Sequence, residues 1–392
     1  MTKKVIYVTG SRAEYGVMRD LLQLINGTPG FTLSLIITGM HTSEKHGNTL
    51  QEILQDKLAI RAIINQKPIT SVADMARSLG ELICKITDIL EEDKPDIILV
   101  AGDRNEALAG AIAGAYMNTL VAHISGGDIT SGGHIDEITR HAISKYAHIH
   151  FPASQAAASI LVKMGEDPSR IFIVGNPGIP TKYHLDAIKK EEFAARYGLD
   201  LSLPVIIVLQ HSCSNEVADS AKQMKETMNA VRDLGLQSIV IYPNNDAGSE
   251  GIIDMIGHYR KYPFIRIYKN LPRDDFLILM ATASVMIGNS SAGLIETPAF
   301  SLPTVNIGTR QCGRERGDNV LDVDYNRETI RESIKKALYD GDFRERMKRC
   351  SSPYTQENTE QKIVKILASL EITDALLRKN YTGLQEPEGR TL

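Results

Sequence analysis

Short, wholly apolar runs alternate along this chain with stretches whose apolar positions return at helical spacing. Lys4–Thr9 reads as a strand, Ala13–Leu24 as a helix and Thr32–Thr38 as a second strand. Leu79, Leu82, Ile83, Ile86, Ile89 and Leu90 keep helical spacing, which predicts a helix over about 71–92. Pro95-Asp96 breaks it, and Ile97–Ala101 follows with both faces apolar. Such runs suit a parallel sheet covered on both sides. Leu120–Ile124 and Ile171–Val174 repeat the pattern.

The turn-rich stretch Asn176-Pro-Gly-Ile-Pro and a charged helix over 186–197 separate this series from a second one. The second has strands at Val205–Leu209, Ser238–Tyr242, Phe264–Ile267, Val285–Ile287 and Thr304–Ile307, with helices at Glu216–Leu234 and Asp274–Ala281. A final helix over 356–378 turns Ile363, Ile366, Leu367 and Leu370 to one side, and the polar residues 381–392 read as a loose tail. The pattern predicts an α/β protein of two doubly wound, Rossmann-like domains with a cleft between them. The expected division is 1–180, completed by 360–392, and 181–359.

Composition narrows the function. The 392 residues carry 44 Lys and Arg against 48 Asp and Glu, a net charge of -4, so there is no basic field for nucleic acid. No apolar stretch approaches the roughly 18 residues of a membrane span. The four cysteines lie far apart and form no CxxC pair, which reads as reduced thiols in a cytoplasmic protein.

In doubly wound sheets the chemistry gathers in loops at the carboxyl ends of strands, and six such loops stand out. Gly10-Ser-Arg-Ala-Glu-Tyr-Gly16 offers Arg12 as a fork for phosphate or a carbonyl. It is neither a GxGxxG turn nor a phosphate loop of the ATPase type; the plain alternative is a βα turn with Arg12 solvated. Gly102-Asp103-Arg104 puts an acid and a cation at the end of a fully apolar strand, where Asp103 can cap a helix, act on substrate, or do both. In His123-Ile-Ser-Gly-Gly-Asp128 and Gly132-Gly-His-Ile-Asp136-Glu-Ile-Thr-Arg140-His141, glycines let a ligand approach the backbone. Asp136 and Arg140, four apart, can orient each other on one helix face. The histidine spacing fits no zinc pattern, so acid–base work by carboxylates is the better reading and no metal or cofactor is expected.

His211 follows the first strand of the second series. The turn Tyr242-Pro-Asn244-Asn-Asp246 offers amides and an acid that local turn chemistry also explains. Gly288-Asn-Ser290-Ser291 opens a helix as a diphosphate cradle would, Glu296 is placed to accept ribose hydroxyls, and Arg310 adds a cation. The plain alternative is a capped helix, with Ser290 or Ser291 as its cap.

Together these segments resemble the UDP-N-acetylglucosamine 2-epimerases, in particular their hydrolysing branch. The carriers are GSRAEYG, GDRNEALA, HISGGD…HIDEITRHAISKYAHIHF, YPNNDAGS, IGNSSAGLIE and NIGTRQCGRERGDNV, in order from residue 10 to 320. The resemblance implies a GT-B-like fold with UDP held mainly by the second domain. It implies cleavage of UDP-N-acetylglucosamine by water into N-acetylmannosamine and UDP, through a 2-acetamidoglucal, in sialic or legionaminic acid synthesis. Carried over residue by residue, Arg12, Arg104, His211, Asn244, Ser290, Ser291, Glu296 and Arg310 bind UDP. Asp103, Asp136 and Arg140 meet the sugar with His41 nearby, and a protonated His211 assists the leaving diphosphate. A family glutamate is replaced here by Ser125, and Asp128 is the nearest substitute. The resemblance further implies a homodimer or homotetramer. Alternatives are hydrolysis of UDP-N,N'-diacetylbacillosamine, non-hydrolysing epimerisation, a GT-B glycosyltransferase and a nucleotide-sugar sensor.

Overall fold

The computed structural model describes residues 2–43, 49–69, 71–130, 135–179 and 189–382. The first parallel sheet holds β1 (Lys3–Thr9), β2 (Phe31–Ile37), β3 (Ile60–Ile63), β4 (Ile97–Ala101), β5 (Leu120–Ile124) and β6 (Ile149–Phe151), in the order β3-β2-β1-β4-β5-β6. The second holds β7 (Val205–Leu209), β8 (Gln237–Ile241), β9 (Ile265–Tyr268), β10 (Val285–Gly288), β11 (Thr304–Ile307) and β12 (Val320–Val323), in the order β12-β11-β10-β7-β8-β9. The two sheets share one doubly wound topology, and each reverses direction between its first and fourth strands. Ligands of such sheets bind at that reversal.

The central strands β4, β5, β7 and β8 are buried at every position because helices cover both faces. One core layer sets Tyr7, Leu35 and Leu99 against Tyr15, Met18 and Leu22 of the helix Arg12–Gly27. The same layer takes Ile363, Val364 and Leu367 from near the carboxyl end, so the last long helix closes over the first domain.

Three predicted elements differ. Ile171–Val174 is not a ladder strand. Ile171 makes a single bridge to His150 on the open edge of the three-residue β6, whose other side pairs with β5, and the Phe172 and Val174 N–H groups donate to the carbonyls of His150 and Pro152. The predicted final helix is split into Thr359–Ser369 and Asp374–Leu377. Of the predicted helix 186–197, the structure describes Lys190–Tyr197.

The segment after the split is not loose up to Thr382. Lys379 donates to the carbonyls of Ser144 (2.7 Å) and Ala147 (2.5 Å), at the end of the helix Ile135–Tyr146 that carries Asp136 and Arg140. Thr382 donates its N–H to the Gly165 carbonyl. The rest of the predicted tail, and Gly132, Gly133 and His134, lie outside the described residues.

Candidate active site

The loops after β1, β4, β7 and β10 converge at the two reversal points and face each other across the cleft. Gly288 makes the approach of β10 to β7 possible. Its φ is +126°, and a Cβ there would lie 2.0 Å from the Leu209 carbonyl oxygen. Next to it, Asn289 clamps His211 from both sides: its Oδ1 accepts the His211 N–H at 2.7 Å and its Nδ2 donates to the His211 carbonyl at 2.9 Å.

The His211 ring accepts the Asn244 N–H at Nδ1 (3.1 Å), which leaves the hydrogen on Nε2. Burial, with Arg310 beside it, pushes the imidazole down to about 3. His211 is therefore a neutral donor at physiological pH, which corrects the expected imidazolium. The reason is that desolvation opposes its charge and a nearby cation adds to the opposition.

Arginines at the cleft form ion pairs from one domain to the other. Arg310 Nη2 donates to Asp136 at 2.8 Å. Arg104 Nη1 grips both carboxylate oxygens of Asp246, at 2.7 and 2.9 Å, and its Nη2 donates to Asn245 at 2.9 Å. Arg314 Nη2 lies 3.9 Å from Asp103 and 3.7 Å from Asp128. The expected Asp136–Arg140 partnership is thus not what organises the helix. Arg140 hydrogen-bonds Asp103, Glu137 (2.7 Å) and the Asp128 carbonyl (3.0 Å), while Asp136 reaches across the cleft.

The surroundings separate the acids. Burial works against the Asp103 charge, yet Arg140 and Arg314 overcome it and hold the carboxyl down at about 2. Burial dominates at Asp128 and raises it, with Arg314 and Arg140 only partly opposing. Two acids with opposed environments thus share one cleft.

Asp103, Asp136, Arg140, Ser291 and Arg310 border a common cavity of about 30 Å3 between the domains. At the other end of the cleft, Arg12 faces Glu52, Arg273 and Glu296, and burial lowers it to about 10. Glu296 Oε2 lies 2.6 Å from Arg273 Nη1 in an ion pair, and among the described residues that buried oxygen accepts no aligned hydrogen bond. Ser290 is buried and its hydroxyl accepts the Ala292 N–H.

The family described as UDP-N-acetylglucosamine 2-epimerase matches the chain over residues 23–368. The chain belongs to the UDP-N-acetylglucosamine 2-epimerase family. Among similar proteins, the UDP-N,N'-diacetylbacillosamine 2-epimerase (hydrolyzing) of Legionella pneumophila is 36% identical, over 97% of this chain and 99% of that one. The UDP-N-acetylglucosamine 2-epimerase of Neisseria meningitidis serogroup B is 34% identical, over 87% and 89%. A crystal structure of UDP-GlcNAc 2-epimerase from Neisseria meningitidis bound to UDP-GlcNAc shares the fold, with a TM-score of 0.78 at 20% identity over 93% of this chain and 99% of that one. The two domains are therefore GT-B-like.

For a 2-epimerase, three features of the cleft are not evident in the loop motifs. Asp246 is a cross-domain partner and not only a turn residue. Arg273 holds Glu296, and Arg314 reaches the acids of the first domain. Each is a charge whose use depends on a partner far away in the chain; the one available signal is the charge of Arg314 in the loop that follows a buried strand.

His41 and His123 have structural surroundings. His41 is hydrogen-bonded to the hydroxyls of Thr9 (3.0 Å) and Thr49 (2.8 Å), and burial lowers it to about 3. His123 bonds the Gly102 carbonyl (2.8 Å) and Ser144 (3.1 Å), and burial lowers it equally. Ser125 has φ +62° at the end of β5, and its N–H bonds the Phe151 carbonyl. Among the described residues, no group of three or more His, Cys, Asp and Glu side chains is arranged to hold a metal, and no helix is long and apolar enough to cross a membrane.

Proposed function

We propose that this protein is a hydrolysing 2-epimerase that converts UDP-N-acetylglucosamine and water into N-acetylmannosamine and UDP. The observation that carries this reading is a shared cavity: Asp103 and Asp136 of the first domain border the same space as Ser291 and Arg310 of the second.

The C2 hydrogen of the sugar is weakly acidic because no carbonyl adjoins it. The bond from C1 to the diphosphate oxygen must therefore loosen first, with its electron pair leaving on UDP. Arg12, Arg310, the Nε2–H of His211 and the Ser290 and Ser291 hydroxyls are the donors for that departing charge, with Arg104 and Asn244 beside them. Glu296 accepts from the ribose. The electron-poor C1 acidifies C2, and the ionised Asp103, oriented by Arg140, takes the proton and leaves a 2-acetamidoglucal. Water then adds its oxygen to C1 and gives up a proton to solvent, an acid on the opposite ring face gives a proton to C2, which produces the manno configuration, and exchange with solvent removes the proton from Asp103 and restores that of the second acid. We assign that second group to Asp136, with Asp128 completing the set of acids.

The likeness to the Legionella protein over 97% of this chain favours a second reading, in which the sugar is N,N'-diacetylbacillosamine and the chemistry is unchanged. Proton NMR of the products in heavy water tests both. Free UDP with a manno sugar deuterated at C2 is the expected result, and the faster of the two UDP-sugars identifies the substrate. A manno sugar still attached to UDP would reject the hydrolysing assignment. Sugar transfer only when a second sugar is supplied would indicate a glycosyltransferase.

A further inference from the structure

Three arginines border the cavity between the domains, and they differ in what their donors already hold. Arg140 is committed to Asp103, Glu137 and the Asp128 carbonyl. Arg310 commits Nη2 to Asp136 and Nη1 to the Asn289 carbonyl, and among the described residues its buried Nε has no acceptor. Arg314 stands 3.7 and 3.9 Å from two carboxylates, attracted but without a hydrogen bond to either, and its buried Nε finds no acceptor among the described residues.

Three residues earlier, Gln311 has the complementary deficiency. Its Nε2 donates to the Asn289 carbonyl at 3.0 Å, and its buried Oε1 finds no donor among the described residues. Reversing the amide would set two oxygens against each other at Asn289, so the carbonyl end is the one left unmet. Gln311 is 2% exposed and Arg314 6%, on one turn after β11, and both border the cavity. Buried polar atoms without partners are uncommon and call for an explanation.

An unmet acceptor and an unmet donor on residues that line one cavity define the ligand group. A phosphate would face the Gln311 oxygen with another acceptor. A hydroxyl can satisfy either atom and needs neither in particular. A secondary amide must donate through N–H and must accept through C=O, so it uses both. We propose that Gln311 and Arg314 read the acetamido group on C2 of the sugar: Gln311 Oε1 accepts its N–H and the Arg314 guanidinium donates to its carbonyl. The Asp103 carboxylate lies 3.9 Å from Arg314, so an amide held there brings the attached C2 beside the assigned base. Both sugars considered above carry this amide. The inference rests on the proposed function and adds the group by which the substrate is recognised.

Equilibrium binding of uncleavable analogues tests it, using the C-glycosidic forms of UDP-N-acetylglucosamine and UDP-glucose, with UDP as the reference. The intact protein should bind the acetamido analogue about tenfold more tightly than the glucose analogue, the worth of a completed buried hydrogen-bond pair. Gln311→Leu and Arg314→Met should each bring that ratio close to one and leave the UDP affinity unchanged. A preserved ratio in both variants would overturn the proposal. Loss of UDP binding in the variants would make these residues part of the nucleotide scaffold and overturn it equally. Failure of the intact protein to bind UDP would instead sink the proposed function itself, so the two failures are distinct.

Discussion

Arg310 and Asp136 meet across the cleft, Nη2 to Oδ2 at 2.8 Å, although 174 positions separate them. One follows the fifth strand of the second sheet, and the other lies in the first turn of a helix in the first domain. The pair ties the cation expected at the diphosphate to an acid expected at the sugar, so one contact joins the two halves of the proposed reaction.

The first prediction concerns that acid. Asp136→Asn should lower turnover by about 10²- to 10⁴-fold, the usual worth of a positioned acid or base. UDP affinity should hold or improve, because the variant removes the charge that competes for Arg310. Steady-state rates and UDP titration check it, and undiminished turnover rejects the role.

Acid stability follows from the buried histidines. His41, His123 and His211 are each lowered to about 3, chiefly by burial. Below the ordinary value of about 6.5 the unfolded chain takes up protons that the folded chain refuses. Their contribution is complete above pH 6.5 and is lost as pH falls toward 3. At pH 5.5 the three together cost roughly 4 kcal/mol, about one pK unit each. Thermal melts between pH 7 and 5 should show a falling Tm, and His123→Asn should flatten the slope. A Tm independent of pH over this range would contradict it.

Glu296 should be specific for the ribose. Its buried Oε2 is ion-paired with Arg273 at 2.6 Å but accepts no aligned hydrogen bond among the described residues, so a ribose hydroxyl would complete it. Glu296→Gln should weaken UDP by about tenfold or more, the worth of a charged hydrogen bond. It should barely change the binding of 2',3'-dideoxy-UDP. Equal losses for both ligands would place Glu296 away from the ribose.

Arg104 and Asp246 make a cross-domain clasp, with Asp246 fully enclosed. Removing one partner strands the other charge, which typically costs about 3–5 kcal/mol. Arg104→Met should therefore destabilise more than Arg104→Met combined with Asp246→Leu. Denaturant unfolding of the single and double variants measures this, and simple additivity would show that the two residues act independently.

The amino-acid order by itself determined the strands and the loops that matter. Ile97–Ala101 and Val205–Leu209 are apolar on both faces, which only a covered parallel sheet accommodates, and chemistry then gathers just after such strands. The positions of Asp103, His211 and Ser291 just after such strands were legible for that reason. The tertiary structure decided which charge meets which. Arg104 was readable as a cation, but its partner Asp246 lies 142 positions away. Asp136 and Arg140 sit at helical spacing, yet they turn to different domains. Pairing energy depends on the distance and burial created when two sheets close on each other, and neither quantity is written in local order. The protonation of His211 was hidden for the same cause: its residue type was visible, while the desolvation that keeps it neutral exists only in the packed cleft.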